Sequence, residues 1–483
     1  MKNKQSALSN SVSHVVDILG STIGRDQPIM LVQTALELVN TLSDDVFLDE
    51  NFVFLDPFCK AGEILLALGL RLNKATKKLM NVNKICETLY KQNRIFGLAP
   101  DERHWLLSLR TYLGNDKSHD ISHSQIIRNG AYLSELDGRV DYDRFKMELA
   151  KMIEFIQEKK PGCKVIAIGN PPYQEADGGE STGATPVYNL FVNSLIESKF
   201  ISEFVVVIPS RWFGAGRGLD KFRTNLSNSH CVKRIQFFKK AEDVFPTVQI
   251  KGGVCFLHYQ KSHQGNCEFK EGNAVYEIDL SKFDIIPDDP LAASLITKIL
   301  SKHKSKFVGE VAWARKPFGL PTNYFKTLAK KKSLPNCKTV SCFTNGRKIG
   351  QALLFDVTIN SDKIDQWKVA VSGAYGLGMR RCTLPAKQMF LIEKGVICTE
   401  TYNIIATFRE KSDAEKFLNY LQTTFSRYFL GLRKITQHVP RDRWNWVPLM
   451  DMKETWDDEK LFKFFGFSKK EQEHIKAKVE EWS

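Results

Sequence analysis

The chain has 483 residues, 43% of them hydrophobic, and a formal net charge of +14. That length implies two or three domains, and the positive balance points to a polyanionic partner such as DNA or RNA. Ten cysteines are scattered without a single CxxC pair, which excludes a cysteine zinc site and a short disulfide scaffold and suits a reducing cytoplasm. No apolar run reaches membrane-spanning length and residues 1–13 lack the apolar core of a signal peptide, so a cytoplasmic location and no membrane partner are expected.

In chain order, residues 1–28 read as a lead-in, and apolar residues from Ile29 to Leu42 then recur at helical spacing behind Pro28. Phe52 to Asp56 reads as a strand, followed by the turn Asp56-Pro57-Phe58-Cys59 and a helix from Glu63 to about Asn73. Arg94 to Ala99, with Leu98, reads as a second strand leading into a helix over 101–112. A helix over 142–158 precedes Lys164-Val165-Ile166-Ala167-Ile168, a short β-branched run of the kind buried in parallel sheets.

That run ends in Asn170-Pro171-Pro172-Tyr173. Pro171 has no N–H and cannot continue a ladder, so Asn170 should stand at the carboxyl end of a central strand, where open α/β sheets place ligands. The residue types suit a flat aromatic amine. Its nitrogen is a poor nucleophile because the lone pair is delocalised into the ring. Two acceptors aimed at its hydrogens, the Asn170 side-chain oxygen and the Pro171 carbonyl, favour a tetrahedral nitrogen. The prolines hold φ at about −65° and fix that carbonyl beforehand, and Tyr173 offers a face for stacking. The plainer alternative is a proline-rich turn closing a core strand.

Beyond it, residues 174–186 read as a loop beside the site, 187–197 as a helix, and Phe204 to Ile208 as a strand leaving through Ser210-Arg211-Trp212. Arg211 and Arg217, among Gly214, Gly216 and Gly218, would form a basic loop able to meet phosphate. Ile235 to Phe238 and Val254 to Tyr259 read as the last strands of this region, with Asp243-Val244-Phe245-Pro246 between them.

Asn-Pro-Pro-Tyr following Asp-Pro-Phe-Cys by about a hundred residues resembles the amino-group S-adenosylmethionine-dependent DNA methyltransferases, and most of residues 25–260 follow the gamma order of the adenine-N6 enzymes of restriction–modification systems. The resemblance implies an α/β class I (Rossmann-like) methyltransferase sheet. It implies catalysis by Asn170, Pro171, Pro172 and Tyr173, and cofactor contacts from Gln27, Asp56, Pro57, Phe58, Cys59, Gly62, Leu98 and Ala131. It also implies Phe245 stacking on the flipped base opposite Tyr173, the alternative there being a core residue. Three positions depart from the family: Ala99 and Ala131 stand where acids usually bind the cofactor, and Gln27 replaces a threonine. Asp101 or Glu102 substitutes for the missing acid only if the turn is shifted.

The second half is basic. Between Ser301 and Gly350 twelve lysines and arginines face one acid, Glu310, with Trp313, Phe318, Tyr324 and Phe343 interleaved. Lys316, Lys332, Arg347 and Lys348 are candidate DNA contacts with Arg211 and Arg217. The expected organisation is a lead-in over 1–28, a catalytic domain over 29–285, a target-recognition region over 286–400 and a helical segment over 401–483. The expected activity is methylation of adenine N6 in double-stranded DNA, with S-adenosylmethionine as cofactor, no metal, and a separate restriction endonuclease as a conceivable partner. The alternatives are methylation of RNA or of a protein glutamine, which the Asn-Pro-Pro-Tyr string also serves, and a cofactor-deficient DNA-binding protein that keeps the fold.

Overall fold

A computed structural model describes residues 30–76, 88, 91–113, 125–128, 140–176, 184–214, 216, 218–246, 248, 250, 252–329, 337–376, 382–434 and 437–482. Residues 1–28, read as a lead-in, and residues 129–134 around Ala131 lie outside them. The chain divides into two compact units, Met1–Leu291 and Ala292–Ser483.

The first unit is built on strands β1 (Phe52–Asp56), β2 (Ile95–Ala99), β3 (Ile126–Arg128), β4 (Lys164–Gly169), β5 (Ile201–Pro209), β6 (Val232–Phe238), β7 (Val254–Gln260), β8 (Cys267–Glu271) and β9 (Ala274–Ile278). They form one nine-stranded sheet in the order β9-β8-β6-β7-β5-β4-β1-β2-β3. β1 to β5 pair in parallel, whereas β7 runs antiparallel to both β5 and β6. Val53 to Leu55 and Val165 to Ile168 are fully buried, which explains their near-continuous apolar sequence. The helices α1 (Val32–Val39), α2 (Glu63–Ala75), α3 (Glu102–Leu113), α4 (Tyr142–Lys159), α5 (Tyr188–Glu197) and α6 (Asp220–Asn228) accompany the strands.

β8 and β9 are strands that the sequence reading missed. In β8 only Cys267 and Phe269 are buried and the remaining positions are charged, so the run reads as a polar loop until the sheet edge gives it partners. The region over 174–186 likewise holds a short antiparallel ladder, Gln174–Ala176 with Ala184–Pro186, and residues 177–183 lie outside the description.

In the second unit a helix, α7 (Pro290–Lys302), precedes two three-stranded sheets. With β10 (Thr339–Thr344), β11 (Lys348–Leu353), β12 (Trp367–Ser372), β13 (Met389–Ile392), β14 (Val396–Cys398) and β15 (Tyr402–Phe408), the orders are β11-β10-β14 and β13-β12-β15. Phe318, Leu320, Cys342, Ile397 and Ile404 form their common core. β15 lies in the stretch expected to be helical. Its neighbour β12 supplies the ladder that its short apolar run cannot supply locally. The helices α8 (Lys411–Gln422), α9 (Thr424–Arg433), α10 (Asp458–Phe465) and α11 (Lys469–Glu481) close the unit. The Asp458 carboxylate accepts from the N–H groups of Thr424 and Phe425 at the start of α9, at 3.0 and 2.7 Å. Trp482 stacks on Tyr428, so the charged tail packs on its own unit instead of standing free in solvent. No helix among the described residues is long and apolar enough to cross a membrane.

Candidate active site

The strand order turns back at β1, with β2 on one side and β4 on the other. The carboxyl ends of β1 and β4 therefore flank the crevice where such sheets hold ligands. Leu55 pairs with Ala167, which sets Asp56 at the end of β1 beside Ile168 and Gly169 at the end of β4. The two sequence strings, over a hundred residues apart, are thereby brought together. A Cβ built on Gly169 would sit 2.5 Å from the Phe58 ring and 3.4 Å from Asp56 Oδ1. Asn170 follows at once and is 1% exposed.

The turn after β1 is held by its own side chains. Asp56 Oδ1 accepts from Phe58 N–H at 3.0 Å, and the Cys59 N–H donates to the Leu98 carbonyl at 3.1 Å. The Cys59 thiol donates to the Asp56 carbonyl and packs where a Cβ on Gly97 would stand, so a glycine in β2 makes room for it. Phe58 stacks on Phe145 and meets Phe191 edge-on. Gly62 has φ +80°, and its Cβ would lie 2.8 Å from Ser108 Cα. The close approach that this glycine permits is to helix α3.

Sequence reasoning passed over two charged residues of this turn. Lys60 and Glu63 are as buried as Asp56, each with exposure of 2% or less. Glu63 accepts from the N–H groups of Met30 and Ala61 at 3.4 and 3.2 Å. Burial pushes the Asp56 carboxyl up to about 8, against the lowering effect of the Phe58 N–H, and pushes the Lys60 ammonium down to about 8. Burial also raises the Glu63 carboxyl and the Cys59 thiol. The Lys60 ammonium acts electrostatically on both buried acids, and Glu63 has two N–H donors. Asp56, a buried carboxyl at the end of β1, fits the amino group of a zwitterionic amino-acid tail. A lysine between two acids in the Asp-Pro-Phe-Cys-Lys-Ala-Gly-Glu string was the available signal.

At the far end of β2, Asp101 accepts from the His104 N–H at 2.8 Å and contacts its imidazole at 2.7 Å. This carboxylate, the candidate to replace the acid absent at Ala99, is engaged in starting α3.

On the other side of Asn170, Tyr173 is 5% exposed and its hydroxyl has no hydrogen-bond partner among the described residues. Its carbonyl accepts from the Val187 N–H at 3.1 Å. Phe245, 1% exposed, meets the Tyr173 ring edge-on with centroids 6.1 Å apart and planes at 71°. A base held between two rings needs their planes parallel and about 7 Å apart, twice the usual carbon contact distance. The two aromatics are neighbours, but in a closed arrangement.

Arg211 is half-buried in the short turn Ser210–Phe213 that leaves β5, and the Ser210 hydroxyl donates to the Gly252 and Gly253 carbonyls. The buried Arg223 ties the following segment down through the Trp212, Gly214 and Asp284 carbonyls. Lys316, Arg347 and Lys348 are exposed in the second unit. Gln27, Ala131, Arg217 and Lys332 lie outside the described residues.

A sheet ordered β3-β2-β1-β4-β5-β7-β6 with β7 alone reversed, and an acid ending β1, is the class I S-adenosylmethionine-dependent methyltransferase architecture. Residues 93–245 match the family model described as Eco57I restriction-modification methylase. A Mycoplasma pneumoniae protein described as an uncharacterized adenine-specific methylase is 32% identical over 126 residues, which cover 24% of this chain and 29% of that protein. The match thus spans less than a third of that relative's length. Among solved structures, the chain resembles the type IIL restriction-modification enzyme MmeI in complex with DNA (9% identity, TM-score 0.39, covering 94% of this chain and 74% of that one). It also resembles the type IIG restriction endonuclease BpuSI (12% identity, TM-score 0.40, covering 98% and 68%). The resemblance to restriction–modification adenine methylases read from the sequence is borne out by the family model and the curated relative.

Proposed function

We propose that the protein transfers a methyl group from S-adenosylmethionine to the exocyclic N6 of an adenine extruded from duplex DNA. The observation that carries this reading is the meeting of Asp56 and the Asn170-Pro171-Pro172-Tyr173 corner at adjacent strand ends. In this reading Asp56 holds the cofactor's ammonium, while Phe58 and Gly169 bring the two strand ends into contact. The Asn170 side-chain oxygen and the Pro171 carbonyl accept the two amine hydrogens and orient the nitrogen lone pair, and Tyr173 carries the ring. When bound, the cofactor supplies a methyl carbon activated by a positively charged sulfur. Positioning provides much of the rate in such a transfer. Because Asn170 and Tyr173 are covered, the base is admitted only after Phe245 turns away from its edge-on contact.

The basic second half favours nucleic acid over a protein glutamine, and the curated relative's description favours adenine. The family model's description makes a separate restriction endonuclease the partner to look for.

The test is methyl transfer from labelled cofactor to DNA, RNA and protein by the wild type and Asn170→Ala. Label should enter DNA with the wild type, and the variant should lose transfer while still binding cofactor. Equal turnover by the variant, or label entering RNA or protein alone, would refute the reading. The engagement of Asp101 with His104 favours one second reading, a DNA-binding chain that has lost cofactor affinity. Calorimetry showing no S-adenosylmethionine binding at millimolar ligand would select it.

A further inference from the structure

The second unit contains a groove of about 1120 Å³ where ends of its two sheets converge. Arg315, Arg347, Lys387 and Arg441 line it with one acid, Glu400. That acid is ion-paired to Arg315 and lies 3.9 Å from Lys316 Nζ. The net field in the groove is positive, as a polyanion requires.

Arg347 is held differently from the other cations. It sits at the tip of the β10–β11 hairpin with φ +58°, after Gly346 at φ +70°. Glycine or asparagine usually fills a left-handed position in such a loop, and an arginine there is strained. The surroundings hold it in place. Its N–H donates to the Tyr402 hydroxyl at 2.8 Å, and that hydroxyl donates to the Thr344 carbonyl at 3.2 Å. The guanidinium lies 4.2 Å from the centroid of Phe390, and one of its nitrogens donates to the Lys387 carbonyl. Phe390 is itself braced edge-on by Tyr402. The fork is fixed in plane and direction, yet the residue remains exposed.

A phosphate contact needs charge and tolerates a mobile stem. Two parallel bonds to the O6 and N7 of guanine need a planar fork at a set angle. Arg347 stands at the turn of the β10–β11 hairpin, beyond the point where β14 pairs with β10, so it is the turn that would meet the base edges of the major groove. We propose that Arg347 reads a guanine in the major groove, so that a G·C pair is part of the sequence this protein recognises. This inference rests on the reading of the chain as a DNA methyltransferase.

The experiment uses the full chain as wild type, Arg347→Gly and Arg347→Lys. The modified motif is read by single-molecule sequencing of DNA from expressing cells. Binding is then measured on the cognate duplex and on duplexes altered at one base pair. Glycine suits the left-handed backbone, so Arg347→Gly should keep or raise the thermal midpoint. The expected result is a G·C pair in the wild-type motif and, in Arg347→Gly, discrimination at that one position reduced on the order of ten- to a hundredfold. Arg347→Lys should keep the wild-type salt dependence and still lack the discrimination. An unchanged ratio at every position in Arg347→Gly overturns the inference. So does a uniform loss of affinity on all sequences with a salt slope reduced by about one, which marks a phosphate contact. Either result leaves the methyltransferase reading intact, whereas no modified base with the wild type removes that reading and this inference with it.

Discussion

Binding of S-adenosylmethionine should tighten as pH rises toward 8, and Asp56 sets the size of the effect. Its carboxyl is buried beside Glu63 and its pKa stands at about 8, whereas the ordinary value is 3.8. Below pH 8 the free protein therefore holds Asp56 mostly protonated, and a bound ammonium favours the carboxylate. Binding must then expel the proton, at about 1.4 kcal/mol or tenfold in affinity for each pH unit below 8. Kd should be about tenfold weaker at pH 7 than at its plateau, and about a hundredfold weaker at pH 6. Titration calorimetry from pH 6 to 9, in two buffers of different ionisation enthalpy, gives both Kd and the protons released. About one proton should leave at pH 7. Asp56→Asn should bind weakly at every pH with the slope flattened. A Kd constant between pH 6 and 8, or a slope surviving in Asp56→Asn, would refute the assignment of Asp56 to the cofactor's amine.

Gly169→Ala should destabilise the first unit by about 1–3 kcal/mol, because the added methyl falls 2.5 Å from a Phe58 ring wedged against Phe145 and Phe191. It should also reduce methyl transfer by parting the two strand ends, and a wild-type denaturation midpoint would contradict this packing argument. Phe245→Leu separates a core role from a stacking one. It should cost less than about 1.5 kcal/mol of stability, yet weaken use of a DNA substrate by about 1–3 kcal/mol, the usual worth of a base–aromatic stack. Wild-type kinetics in that variant would make Phe245 a core residue only.

Some of this protein was decided locally and can be read from its string. Val165 to Ile168 is a parallel core strand by composition, Pro171 ends it by lacking an N–H, and Asp56-Pro57 ends β1 before a helix. Each of these outcomes depends on residues within a turn or two of one another. Tertiary structure alone decided the rest. β8, β9 and β15 are strands because neighbouring strands offer them ladder partners, which short charged or weakly apolar runs do not announce. Lys60 and Glu63 look like a solvated helix start, and only enclosure by α1, α3 and the sheet turns them into buried charges with displaced pKa values. Arg347 reads as one cation among twelve until the Tyr402 hydroxyl and the Phe390 ring, dozens of residues away, fix its fork. Backbone chemistry acts over a few residues and is written in their order. Desolvation and directed hydrogen bonds depend on which distant segments share a volume, and that is settled only when the chain has closed.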